Sequence, residues 1–485
     1  MPHLTDSRLL TGVAGLDQIL HGGLIPRRAY LIRGGPGSGK TTLGIHCLVA
    51  GHRSESLFIT LGESEEQLRE NATRSGLSMS DVDVLDVSPG QVGKTDGTYN
   101  LLESWDVEGN VIHDQILEHV RAHRPKRILI DSLSQMRYLS ADTFQFRKQV
   151  LSLLRTLTGE GATVLFTSEE GADDDDQALA FLSDGVISLE TTEYGRLCRI
   201  SKFRGSGFEE GAHYYQLGEN GVTLFPRLVP NNYFRTNNHT QMSSGIPELD
   251  ALTHGGIERG TVTLLSGPTG VGKTTLGAQL LSQADPSPER AVIYNFDESA
   301  STFFTRCRQV GLPVEEMLDD GSLRFKPVEA LLYHPDQFAA EVRKEVEEAG
   351  TTMVMIDSLS GYQQSMRGEN LQARVHALCR YLVNMGVTVV LVNEIFSITG
   401  DQARVTEYGL SYVADNIIML RYIELDGELR KTIGVLKKRA GSFEKALREF
   451  DITQEGLKVG RPLRGMRGLM SGVPEMIPTS SRNTP

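Results

Sequence analysis

The stretch Leu31–Gly44, LIRGGPGSGKTTLG, decides how the rest of the chain is read. The apolar run AYLIR, residues 29–33, leads into Gly34-Gly35-Pro36-Gly37-Ser38-Gly39-Lys40-Thr41, which fits GxxxxGK[ST] at every position. Strand, glycine-rich loop and helix start, in that order, form a phosphate cradle. The glycines let backbone N–H groups close on an anion, and the helix N-terminus adds the positive end of its dipole. Lys40 is placed to reach the β- and γ-phosphates of a nucleotide. Thr41, followed by Thr42, is placed to offer a hydroxyl to Mg²⁺.

Outward from this loop, the chain repeats itself. Leu264–Gly277 reads LLSGPTGVGKTTLG, with Gly267, Pro268, Thr269, Gly270, Val271, Gly272, Lys273, Thr274 and Thr275 in the places of residues 34–42. Gly12, Leu16, Asp17 and Lys40 correspond to Gly245, Leu249, Asp250 and Lys273, each at an offset of 233. ILIDSLS, with Asp131, returns as VMIDSLS, with Asp357, at an offset of 226. SKFRGS, with Lys202 and Arg204, returns as LKKRAG, with Lys437 and Arg439, at 235. Steady offsets mean one domain written twice. The expected divisions are 1–232, 244–460 and an extended tail, 461–485. The polar, Asn-rich stretch Leu228–Gly245 serves as linker.

In each copy short apolar runs alternate with amphipathic helical patterns. AYLIR, LFITL, RILID and TVLFT suit a buried parallel sheet. Ile112, Ile116 and Val120 share one helix face, as do Phe146, Val150, Leu153 and Leu157. The predicted class is α/β, with a mostly parallel sheet covered by helices on both faces. Ligands of such sheets sit beyond the carboxyl ends of the strands, where all the motifs fall.

Composition narrows the function classes. A net charge of −13 argues against nucleic-acid binding. No apolar run is long enough for a membrane span, and the first residues lack a secretory pattern. Cys47, Cys198, Cys307 and Cys379 are scattered and form no metal-ligand spacing, which fits buried thiols in a reducing cytoplasm.

Asp131 and Asp357 each end an apolar strand, where a carboxylate holds Mg²⁺ beside the loop threonines Thr41 and Thr274. Hydrolysis also needs a base for the attacking water. After the strand next to the loop strand the first copy reads LFITLGESEE, giving Gly62 and Glu63. The second reads VIYNFDESAS, giving Asp297 and Glu298. Glu63, Asp297 and Glu298 are the candidate catalytic acids. Lys202 and Arg204, and Lys437 and Arg439, are candidates for phosphate contacts supplied in trans by a neighbouring copy.

The doubled GLD…GG…GKTT, the IDS strand end, the ES turn and the KxRGS strand together resemble the KaiC family, the double-domain RecA-like P-loop ATPases of the cyanobacterial clock. The resemblance runs from about Leu9 to about Pro474 and includes the tail GLMSGVP. It implies two tandem RecA-like domains and a homohexameric double ring with ATP and Mg²⁺ between subunits. It implies hydrolysis in the N-terminal ring and serine/threonine autokinase activity in the C-terminal ring. That family carries two adjacent glutamates where this chain has Gly62-Glu63 and Asp297-Glu298. In VTEYGLSYVADNIIML, Ser411 takes the position of the phosphorylated serine, Tyr412 replaces the threonine, and Thr406 matches a nearby threonine. The tail is expected to dock signalling partners. Two other readings stay open. One is an ATP-gated assembly platform with little hydrolysis in one half. The other is a DNA-dependent motor, which the acidic balance opposes.

Overall fold

The computed structural model describes residues 8–52, 55–88, 105–140, 142–169, 174–235, 240–284, 289–329, 331–395, 410–469 and 475–476. The chain divides into two compact units, Met1–Arg227 and Leu228–Pro485.

In the first unit the apolar runs become β1 (Ala29–Gly34), β2 (Ser56–Thr60), β3 (Asp83–Asp86), β4 (Arg127–Asp131), β5 (Thr163–Glu169) and β6 (Gly185–Thr192). A meander follows: β7 (Gly195–Phe203), β8 (Ala212–Gly218) and β9 (Gly221–Phe225). The sheet order is β3-β2-β4-β5-β1-β6-β7-β8-β9. The pairings from β3 through β6 are parallel, and those from β6 to β9 are antiparallel. Alternation along each strand explains the two-faced burial. Tyr30 and Ile32 of β1 enter one core with Leu43 and Leu48 of the helix Lys40–Val49. Ala29 and Leu31 enter the other with Ile112, Ile116, Val120, Phe146, Val150, Leu153 and Leu157. Those seven lie on the helices Trp105–His123 and Thr143–Gly159, with the faces that the sequence predicts. Each such fully buried aliphatic or aromatic side chain contributes about 1.5–3 kcal/mol, so the helical cover fixes the sheet.

The second unit opens with a short ribbon, β10 (Gln241–Met242) on β11 (Ile257–Glu258). Its sheet uses β12 (Val262–Gly267), β13 (Ala291–Asn295), β14 (Leu323–Pro327), β15 (Met353–Asp357), β16 (Thr388–Glu394), β17 (Asn416–Leu425), β18 (Glu428–Lys438), β19 (Arg448–Thr453) and β20 (Gly456–Pro462). The order, β14-β13-β15-β16-β12-β17-β18-β19-β20, is that of the first sheet strand for strand. Again two cores flank it. These are two tandem RecA-like α/β domains.

The start of the stretch that reads as a linker is docked on the second unit. The Tyr233 ring meets Tyr381 edge-on at 5.0 Å, and Asn384 Nδ2 donates to the Pro230 carbonyl at 3.0 Å. Past Gly460, β20 runs on to Pro462, and Met466–Arg467 pairs with Glu475–Met476. Among the described residues no helix is long and apolar enough to cross a membrane. All four cysteines are free and buried, and burial pushes the thiols of Cys47, Cys198 and Cys379 up to about 12.

Candidate nucleotide sites

Each glycine-rich loop joins the central strand, β1 or β12, to a helix that starts at its lysine, Lys40 or Lys273. The glycine before that lysine is required twice over. Gly39 and Gly272 have φ of 90° and 113°, a left-handed backbone. A Cβ on Gly39 would lie 2.7 Å from the Leu217 side chain, and one on Gly272 would lie 2.5 Å from Ile452. The meander strands β8 and β19 therefore press the loop from behind. Tyr215 adds a 2.7 Å hydrogen bond to the Ser38 carbonyl, and Arg196 one of 2.8 Å to that of Gly37. Lys40 Nζ donates to the carbonyls of Gly34 (2.8 Å) and Gly35 (3.0 Å), and Lys273 Nζ to that of Pro268 (2.8 Å). Burial holds the Lys273 ammonium below its usual range, while Glu394, Asp357 and Asp297 pull the other way.

The strand-end aspartates stand beside the loop threonines. Thr41 Oγ1 donates to Asp131 Oδ2 at 2.5 Å, and Thr167 donates to the other Asp131 oxygen. In the second unit Thr274 hydrogen-bonds Asp357, whose carboxyl is pushed up to about 6. Burial is the main cause, with Asp297 and Glu298 adding repulsion. The peptide after each aspartate is cis. A cavity of about 440 Å³ gathers Gly270, Lys273, Thr274, Asp297, Glu298, Arg306 and Asp357.

The turns that follow β2 and β13 share a backbone. Thr60 Oγ1 accepts from the Glu63 amide at 3.1 Å, and Asn295 Oδ1 accepts from the Glu298 amide at 3.0 Å. Their side chains differ. Asp297 Oδ2 accepts from Ser358 Oγ at 2.7 Å, and both oxygens of Glu298 accept from Arg306, at 2.5 and 3.0 Å. In the first unit Glu63 is exposed, and its carboxylate has no hydrogen bond among the described residues. The place of Arg306 is taken by Asn71, and Ser132 bonds to Ser134 instead.

Where the second unit has Asp297 facing Gly361, the first has Gly62 facing Gln135. A Cβ on Gly62 would lie 2.5 Å from Gln135 Nε2, and one on Gly361 would lie 2.6 Å from Asp297 Oδ1. The polar group has changed loops. The sequence reading passed over Gln135, Arg306 and Ser358. The offset of 226 that links Asp131 to Asp357 also links Gln135 to Gly361, and that was the available signal.

The remaining candidates lie elsewhere. Lys202 Nζ donates to the carbonyls of Ala180 (2.8 Å), Phe181 (3.1 Å) and Ser183 (2.6 Å), closing the end of the helix Asp174–Leu182. An ammonium has three donors, and all three are used within the chain. Lys437 Nζ donates to the carbonyls of Ser411 (3.1 Å) and Ala414 (2.6 Å). Arg204 lies 3.8 Å from Asp184, Arg439 lies 2.9 Å from Asp415, and both guanidinium groups are exposed. Ser411 sits in the short turn Leu410–Tyr412. Thr406 lies outside the described residues.

A central strand, a glycine loop, a helix-opening lysine and an acid-ended neighbouring strand, present twice, define a tandem P-loop protein of RecA-like fold. The KaiC ATPase family matches residues 9–229 and again 242–464, so the chain belongs to that family. Its relatives include circadian clock oscillator proteins KaiC. That of Parasynechococcus marenigrum is 27% identical over 500 residues, covering 98% of this chain and 94% of that protein. The Prochlorococcus marinus protein is 26% identical over 504 residues (99% and 98% covered). The Synechococcus elongatus protein is 26% identical over 503 residues (99% and 94%).

Proposed function

We propose that both units bind ATP with Mg²⁺, that the first hydrolyses it, and that the chain works as a homo-oligomeric ring in signalling or timing. The observation that carries this reading is the matched pair of loop threonine and strand-end aspartate, Thr41 with Asp131 and Thr274 with Asp357. The donors are oxygens only, and the Asp357 carboxyl is buried among acids, which suits a hard divalent cation. When bound there, Mg²⁺ supplies charge neutralisation at the phosphates.

The protein groups then divide the work. Loop amides, Lys40 and Lys273 hold the phosphates. In the first unit Glu63 takes the proton from the attacking water, and Gln135 orients that water, as an amide does in other P-loop hydrolases. In the second, Arg306 occupies both oxygens of Glu298, so the base role falls to Asp297. Asp297 there accepts a proton from a water or from the hydroxyl of Ser411, the proposed autokinase site. Ser411 does not line the cavity of its own unit among the described residues, so transfer to it calls for a second copy. Arg204 and Arg439 are the cations left exposed for phosphate contacts in trans.

Two single variants test the division. Lys40→Ala should remove most ATP turnover, and Lys273→Ala should leave most of it while abolishing phosphate on Ser411, read by phosphate release and mass spectrometry. A Lys40→Ala protein that turns over ATP at the full rate would overturn it. The first loop would then serve assembly alone, a reading that the lost acid at Gly62 favours.

A further inference from the structure

Away from the nucleotide sites, one side-chain cluster has the composition and spacing of a metal centre. His119 and His123 lie one turn apart at the end of the helix Trp105–His123, and Asp83 begins the edge strand β3 beside them. His119 Nε2 and Asp83 Oδ2 are 2.6 Å apart, and the two imidazole rings stack with centroids at 4.2 Å. One ligand atom from each of the three residues falls within 4.8 Å of the other two. His123 Nδ1 lies 2.9 Å from the His119 carbonyl oxygen. A carbonyl only accepts, so in the neutral ring Nδ1 carries the proton and Nε2 keeps its lone pair. Metal-ligating histidines are oriented by that kind of second hydrogen bond. The helix C-terminus also favours positive charge.

The second unit shows what this strand–helix contact looks like without ligand chemistry. The strand register and the offset of 226 match Asp83 to Arg324 and His119 to Glu345. There Arg324 donates to both oxygens of Glu345, at 3.1 and 2.9 Å. An arginine–glutamate pair already joins strand to helix. In the first unit a carboxylate and two stacked imidazoles occupy the same contact, a set of groups that one cation can join.

We propose that Asp83, His119 and His123 bind a late first-row divalent cation of the Zn²⁺ type. Imidazole selects such ions over Mg²⁺ and Ca²⁺. The cation would replace the proton between His119 and Asp83, with two nitrogens and one oxygen as ligands and a fourth position open to water. Asp83 and His123 also line a cavity of about 440 Å³, which gives that position room. The cation would tie β3 to the helix between residues 36 positions apart, so its effect is on the stability of this edge.

The test uses the full chain, stripped with chelator, its nucleotide sites saturated with Mg-ATP, and titrated with Zn²⁺ by calorimetry and with Co²⁺ by visible absorption. The wild type should take up one tight equivalent. His119→Ala combined with His123→Ala should weaken it by at least about 100-fold, more than the loss of an outer-shell partner. Asp83→Arg with His119→Glu transplants the pair of the second unit. It should keep the strand–helix contact, lose the equivalent, and lose the Zn²⁺-dependent rise in unfolding midpoint that the wild type shows. Equal uptake by the wild type and both double variants, or no uptake by the wild type, would overturn the proposal.

Discussion

The turn after β2 and the turn after β13 have matching amide hydrogen bonds and opposite side-chain arrangements. In one, glycine faces an amide; in the other, aspartate faces glycine. Close packing accounts for the buried pair, since a side chain at Gly361 would run into Asp297, whereas the exposed Gly62 meets only the amide end of Gln135. Chemistry explains what was gained. The second unit holds its acids firmly, through Ser358 and Arg306, whereas in the first the Glu63 carboxylate is exposed and has no hydrogen bond among the described residues. Two copies of one fold therefore offer two different environments to one nucleotide.

The largest effect expected from this difference is catalytic. With the other loop silenced by Lys273→Ala, Glu63→Gln should lower phosphate release by about 10²- to 10⁴-fold, the usual worth of a general base. With Lys40→Ala as background, Glu298→Gln should matter little and Asp297→Asn should matter most. A first unit indifferent to Glu63→Gln would break the comparison.

A smaller effect lies in packing. Gly361→Gln, at a buried glycine, should destabilise by about 1–3 kcal/mol, the range for overfilling a packed site. Gly62→Asp, exposed and facing only the amide end of Gln135, should cost less. Gln135→Gly should rescue Gly62→Asp. Asp297→Gly should rescue Gly361→Gln only in part, because a Cβ at residue 361 also meets the Phe296 Cβ at 2.6 Å. Urea unfolding of the two double-mutant cycles reads the coupling, and strict additivity would contradict the exchange.

The smallest effect concerns pH. His334, buried at the start of the helix Pro335–Glu347, is pushed down to about 3 by burial and by the nearby Arg374 charge. The folded state keeps it neutral while the unfolded state takes a proton near pH 6.5. The second unit should therefore lose stability as pH falls below 6.5 towards 3. The loss between pH 7 and 5.5 is about 1 kcal/mol. His334→Asn keeps a helix-capping side chain and should flatten that slope, measured as the pH dependence of the unfolding midpoint. An unchanged slope would remove His334 as its source.

Much of the fold was legible before any coordinates. The seven apolar helix positions from Ile112 to Leu157 are buried as their periodicity requires. The loops and the acid-ended strands are short-range patterns, so reading them needs only adjacent residues. Gln135 was not legible in that way, because its significance depends on a glycine 73 positions earlier on a facing loop. The same holds for Lys202 and Lys437. Their strand positions make them candidates for phosphate contacts in trans, and within one chain both donate to backbone carbonyls that no strand pattern reveals. A strand pattern tells which face a side chain leaves from, not what it meets there.

By itself, the sequence determined a duplicated α/β domain with two phosphate loops, because glycine placement, strand periodicity and repeat offsets are local and survive in the linear order of residues. Only the tertiary structure decided how the copies differ: which acids are tied, which amide faces which glycine, and which histidines meet an aspartate. Those outcomes depend on side chains from separate segments sharing one small volume, and close packing settles them only once the sheet has assembled.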